Sequence, residues 1–296
     1  MRITTWMTQQ KRLSELQFSQ ARVDSTQEQV STGLRLQKPS DDPLAMMELL
    51  QISTRLSARQ QQGASLKTAT PVMQATESAL GDIATALLSA KIAAQRAANT
   101  ATTSPADRIA LAAQIHSAAQ VILSRANTKV GERYVFGGTA SDQAPFVAGD
   151  PVTYLGNGAS LKVDVAEGQP FEMSITGEQL RAGQGGSELF ANLKQLEQEV
   201  LTGDSSALQS SLSKVNDNWS HVVELRGDMG ARLNYVTMAQ DRLEQEITQI
   251  QGRQSELRDV DFAQAVVAEK ISENSQQATL AMAARLGSAS LLDYLR

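Results

Sequence analysis

Two histidines, His116 and His221, and five carboxylates, the pair Asp41–Asp42 and the group Asp150, Asp164 and Glu167, are the side chains best placed here for proton-transfer or metal chemistry. A metal site wants two or more ligands at short spacing, such as i and i+4 on a helix. Neither histidine has another near it. His116 falls on the apolar stripe of a helical pattern, where a packed or capped histidine is the plainer reading. Adjacent carboxylates could act as general acid and base. Asp41–Asp42, however, stand immediately before Pro43, and an acidic residue ahead of a first-turn proline is a helix cap. The run Gly156-Asn157-Gly158 lacks the third glycine and the following helix of a dinucleotide loop. No Gly-Lys-Ser/Thr phosphate loop and no Gly-x-Ser-x-Gly elbow occurs. The absence of cysteine excludes disulfides, thiolate ligands and a thiol nucleophile. No catalytic residue, cofactor or metal is therefore expected. A hydrolase using Asp150, Asp164 and Glu167 stands as the enzyme alternative, although exposed strand or turn positions account for those residues better.

The elements that would position any site are mainly helical. Over 296 residues aromatics are only 4%, which suits helices packed through Ala and Leu rather than a bulky-cored barrel. Residues 1–36 carry two seven-residue ladders: Trp6, Leu13, Gln20, Gln27, Leu34 and Gln9, Leu16, Val23, Val30. That spacing keeps one seam toward a partner helix. After Asp261 a stripe of Ala263, Val267, Ile271, Asn274, Ala278 and Ala281 steps by three and four. Both stripes are thin and polar, and too poor in apolar area to offset an ordering cost on the order of 1–2 kcal/mol per residue.

Between them, Asp42-Pro43, Thr70-Pro71 and Ser104-Pro105 with Asp107 read as helix starts. The stripe Ile109, Ala112, His116, Ala119, Leu123, Ala126, Val130 follows the last of these. Residues 131–186 alternate like strands at 134–136, 152–155, 161–165 and 171–175, with glycine-marked turns, and predict a small antiparallel sheet. Helix resumes with Ser187 as its cap, turns at Gly203-Asp204, and continues past Gly227, Gly230 and Gly252.

The fold class expected is mainly α: long terminal helices in an antiparallel bundle or coiled coil, with a small inserted β-rich lobe. Five segments follow: an assembly helix at 1–40, a helical core at 41–130 and 187–256, the lobe at 131–186, and a second assembly helix at 257–296. The side chains expected to pack against other subunits are Leu13, Leu16, Val23, Val30, Val267, Ile271, Leu291 and Leu292. The net charge of −5 is mild, and no clustered basic face predicts nucleic acid. No stretch approaches the roughly 18 apolar residues of a membrane span. The first ten residues carry no apolar core of a cleavable secretory signal.

Three stretches carry a resemblance. Val30-Ser-Thr-Gly-Leu-Arg-Leu-Gln-Lys-Pro-Ser-Asp-Asp-Pro-Leu44 resembles the signature of bacterial flagellins and their junction relatives. Asp259-Val-Asp-Phe262 through Leu291-Leu-Asp-Tyr-Leu-Arg296 is similar to the flagellin C-terminus. Gly131-Glu-Arg-Tyr-Val-Phe-Gly-Gly-Thr139, with Asp142 and Pro145-Phe146, resembles the hook-associated junction branch of the flagellin superfamily. Leu34 is the more flagellin-like choice, and 147–186 match loosely. The resemblance implies terminal helices that order inside a tubular assembly of the chain with itself. It implies extracellular export through the flagellar type III apparatus without cleavage, with an export chaperone beforehand. Its partners would be flagellin and the other hook–filament junction protein. A short flagellin building the filament itself is the alternative within the same class.

Overall fold

The computed structural model describes residues 2–99, 104–166, 168–182 and 188–294, with side chains described throughout these except at 2–5, 8 and 285–294. The chain divides into two units, one of residues 1–58 with 246–296 and one of residues 59–245.

Seven-residue periodicity organises the second unit. Helix α2 (Pro43–Ala97) buries Leu66, Met73, Leu80, Leu87 and Ala94 in one row and Ala69, Thr76, Ile83, Ala90 and Ala97 in another. Helix α6 (Ser205–Arg258) answers with Leu208, Val215, Val222, Met229, Val236 and Leu243, all buried every seventh residue. Such rows keep two helices in contact along their length. Flanking polar pairs fix them antiparallel: Arg226 Nε donates to Glu77 at 2.7 Å, and Gln240 Nε2 to Thr70 Oγ1 at 3.0 Å. Helices α3 (Pro105–Ala126) and α5 (Leu189–Thr202) pack on each other in the same unit.

The sequence expectations for α2 and α3 change. Thr70-Pro71 does not start a helix; α2 runs through Pro71. The proline removes a donor to the Lys67 carbonyl, but burial of Leu66 and Met73 on either side holds the helix together. The α3 stripe is out of phase. Ile115 and Ile122 are fully buried, whereas Ile109 and His116 face solvent. The Ser104 capping box with Asp107 forms as the pattern predicts.

The inserted region is not one sheet. Among the described residues it is three two-stranded antiparallel ladders: β1 (Lys129–Val130) with β2 (Arg133–Tyr134), β3 (Phe146–Val147) with β4 (Thr153–Tyr154), and β5 (Lys162–Ala166) with β6 (Gln169–Glu172). Strands this short pair only locally, and turns and side chains join the ladders. Asn157 Oδ1 accepts from the Thr139 N–H, and Tyr154 donates its hydroxyl to the Phe136 carbonyl. Gly138, at φ +68°, brings its backbone so close to Asn157 that a Cβ would collide with it. The short helix α4 (Gly177–Arg181) closes the lobe, capped by Thr176. Phe171 packs at a tilt against Tyr235 of α6, and Phe146 against Phe190 of α5, which anchors the lobe to the helices.

After α5, Gly203 turns the chain at φ +77° and Asp204 caps α6. Gly227, Gly230 and Gly252 do not interrupt α6. Ser187, expected as a cap, lies outside the described residues, and α5 starts after Glu188.

Candidate assembly surface on the terminal helices

The first unit is built around α1 (Arg2–Thr32) and α7 (Phe262–Tyr294). Gly33 ends α1 at φ +71°. The next residues then bind the segment ahead of α7. Arg35 N–H donates to the Arg258 carbonyl at 2.7 Å, Val260 N–H to the Gly33 carbonyl at 2.9 Å, and Arg35 Nη2 to the Leu257 carbonyl at 2.7 Å. Leu34 and Asp259 form an antiparallel bridge. Ser255 and Arg258 both donate to the Asp259 carboxylate, and these bonds hold its pKa below the ordinary value. On the α1 side, Asp41 accepts the N–H groups of Lys38 (2.9 Å) and Gln37 (3.0 Å), which lower its pKa in the same way. Asp42 accepts from Leu44 and Ala45 and caps α2. The Asp41–Asp42 pair is thus a loop staple and a helix cap. The two motif stretches around 30–44 and 259–262 meet at this clasp.

Beyond the clasp the helices run antiparallel, with Gln276 donating to Gln20. Their shared seam is poor in large apolar groups. From α1 it takes Leu16, Ser19, Val23 and Val30; from α7 it takes Ala265, Ser272, Gln276 and Thr279. Only Val23, Ala265 and Ser272 among these are buried. Burying these three small side chains recovers less than about 10 kcal/mol. Ordering helices of 31 and 33 residues costs several times that.

The large apolar groups lie elsewhere. Leu13 is 57% exposed, Phe18 67%, Val267 60% and Ile271 57%. At 100° per residue, Leu13 and Phe18 fall on opposite sides of the α1 seam. Ile271 and Met282 fall on the opposite side of the α7 seam from Phe262 and Leu280. The helix pair is therefore a ribbon with two broad faces. One carries a groove lined by Phe18, Arg22, Ser275 and Thr279. The other carries Trp6, Leu13 and Leu280, all more than half exposed.

The structure separates the two α1 ladders read from the sequence. Leu16, Val23 and Val30 turn to α7 of the same chain, and Trp6 and Leu13 turn to solvent. The α7 stripe of Val267 and Ile271 also faces solvent. Of the side chains expected to pack on other subunits, Leu13, Val267 and Ile271 thus present surface, Leu16 and Val30 are half-buried, and Val23 is buried in the chain itself. Leu291 and Leu292 lie outside the described side chains.

His116, His221 and Asp150 each contact a different part of the chain. His116 Nδ1 lies 3.3 Å from Glu197 and joins α3 to α5. His221 Nε2 lies 2.9 Å from the Gln179 carbonyl and joins α6 to α4. Asp150 pairs with Lys194. Asp164 sits on β5 opposite Pro170, and Glu167 lies outside the described residues. No cluster of three or more metal-ligating side chains occurs among the described residues, and no helix among them is long and apolar enough to cross a membrane.

Comparison with known proteins agrees with this architecture. The bacterial flagellin N-terminal helical region matches residues 3–141, and the bacterial flagellin C-terminal helical region matches residues 212–295. The chain is 28% identical over 306 residues to flagellar hook-associated protein 3 of Escherichia coli, covering 94% of this chain and 95% of that protein. Its fold is similar to that of FlgL from Xanthomonas campestris, with TM-score 0.62 at 16% identity, covering 69% of this chain and 99% of that one. It is similar also to the flagellar junction protein FlgL of Legionella pneumophila, with TM-score 0.60 at 13% identity, covering 71% and 99%. With both flagellin helical regions matched at the two ends that the clasp brings together, the chain belongs to the flagellin family of flagellar structural proteins.

Proposed function

We propose that this chain is a hook–filament junction protein: it joins the hook-side junction protein to the flagellin filament by packing its terminal helices beside those of neighbouring subunits. The observation that carries this reading is the inverted helix pair. Of the side chains named in the α1–α7 seam only Val23, Ala265 and Ser272 are buried, while Leu13, Phe18, Val267 and Ile271 stay exposed. An exposed apolar set of this size on a thin seam is completed by association. Full burial of each such side chain is worth about 1.5–3 kcal/mol, which adds to what the seam alone recovers against the ordering cost. The side chains named for packing act by burial and do no chemistry. The resemblance to a hook-associated protein and a junction protein supports the site of action, and with it extracellular export by the flagellar apparatus, uncleaved and chaperone-held.

The family match to flagellin regions also favours a second reading, a short flagellin that builds the filament. Antibody labelling of isolated flagella, with a copy-number measurement, separates the two. A few copies confined to the hook end support the junction; many copies along the filament support the flagellin. Absence from flagella overturns both.

A further inference from the structure

The run Gly156-Asn157-Gly158 is held in the lobe by its asparagine. The Asn157 N–H donates to the Gly137 carbonyl at 3.3 Å, and the Asn157 carbonyl accepts from the Tyr154 hydroxyl at 3.0 Å. On the side chain, Oδ1 accepts two backbone N–H groups, those of Thr139 at 3.0 Å and Ala159 at 3.3 Å, and Nδ2 donates to Thr139 Oγ1 at 2.7 Å. The Gly158 N–H has no acceptor among the described residues. The Glu178 carboxylate lies against Gly158, so close that a Cβ there would collide with Oε2. Packing therefore requires glycine after Asn157.

These groups are the parts of an acyl-transfer site inside one loop. We propose that Asn157 is a self-modification site: the Gly158 backbone nitrogen attacks Asn157 Cγ, and Glu178 takes the proton from that nitrogen. The new N–Cγ bond closes a succinimide ring. Attack is intramolecular, and glycine puts no side chain in its way. In the tetrahedral intermediate Oδ1 is an oxyanion, which the Thr139 and Ala159 N–H groups bind more strongly than they bind the neutral carbonyl. The Cγ–Nδ2 bond then breaks, the departing nitrogen takes up the proton held by Glu178, and ammonia leaves from beside Thr139 Oγ1. Water opens the ring, so that asparagine and water become aspartate or isoaspartate and ammonia. The lobe gains a negative charge and loses the Nδ2 bond to Thr139. Isoaspartate also lengthens the backbone between the bonds to Gly137 and Tyr154.

The full-length chain is incubated at neutral pH, folded or in urea, and followed by peptide mass spectrometry. Asn157 should convert in the folded chain while Asn127, Asn192 and Asn218 stay intact. Glu178→Gln should slow the conversion about tenfold in the folded chain and leave it unchanged in urea. Glu178 is exposed, so the isosteric amide should keep the fold, which circular dichroism checks. An Asn157 that stays intact in the folded chain overturns the proposal, and the urea sample shows that the incubation suffices for the reaction. An unchanged rate in folded Glu178→Gln overturns it as well, because the fold would then add nothing to the chemistry of the dipeptide.

Discussion

Arg35 and Arg258, at opposite ends of the chain, are joined by a 2.7 Å hydrogen bond from the Arg35 N–H to the Arg258 carbonyl. It is the centre of a clasp that includes the Gly33–Val260 bond and the Leu34–Asp259 bridge, and it sets where α1 and α7 begin to run side by side.

The clasp depends on a left-handed turn at Gly33. Gly33→Val places a β-branched side chain at positive φ, where L-residues pay roughly 1–2 kcal/mol. Amide exchange at 33–36 and 257–260 should accelerate about tenfold, with helices of the second unit unchanged. Unchanged exchange at the clasp would count against the role of this turn.

Acid should loosen the same region. Hydrogen bonds hold the pKa of both Asp259 and Asp41 below the ordinary aspartate value, which is about 3.9. A carboxylate with a lowered folded pKa stabilises the fold above its unfolded value, and that contribution disappears as pH falls through the folded one. Exchange protection at the clasp should therefore hold at neutral pH and fall progressively below about pH 4. Asp259→Asn should weaken the clasp at neutral pH and flatten its pH dependence.

Val23 and Leu13 should behave oppositely. Val23→Ala removes buried methyl groups from the seam and should lower the stability of the isolated chain by about 1–2 kcal/mol. Leu13→Ala touches a solvent-facing side chain and should change it by less than about 0.5 kcal/mol, yet reduce incorporation into flagella. Denaturant titration with a blot of isolated flagella measures both. Normal incorporation of Leu13→Ala, or of a chain lacking residues 262–296, would defeat the assembly reading.

Gly227 lies exposed inside α6, and a Cβ there would meet nothing within 4 Å. Gly227→Ala should stabilise the isolated chain by roughly 0.5–1 kcal/mol, read as a shift in denaturation midpoint. A loss of stability would show that the glycine serves the fold itself.

Asn192 and Asn218 form a buried 2.7 Å hydrogen bond between α5 and α6. Asn218→Ala removes this buried bond and should cost roughly 1–3 kcal/mol, read as a shift in denaturation midpoint. A variant as stable as the unmodified chain would refute this account.

The sequence made legible those features that depend on neighbours along the chain. Ser104 with Asp107, Asp42 before Pro43, and Gly203 with Asp204 act through local backbone geometry, and each forms where its pattern lies. The α2 break at Pro71 is a local signal overruled by tertiary packing. The phase of α3 was legible only in part, since Ala at 112, 118, 119 and 126 fits several faces and leaves Ile115 and Ile122 to decide. The α6 row from Leu208 to Leu243 is regular, yet Gly227 and Gly230 beside it read as interruptions. The clasp was illegible because Leu34 and Asp259 meet only through folding. The division of α1 into inner and outer ladders required knowing which of them α7 would cover.

The clasp has one more consequence. It tethers α1 and α7 at a common root, so the two helices never search for a neighbour independently. Once either is captured, the other is held nearby at an effective concentration of the order of millimolar, as for short tethers generally. Capture by one end therefore becomes capture by both, and loosening the root would convert a single bivalent event into two weak, separable ones.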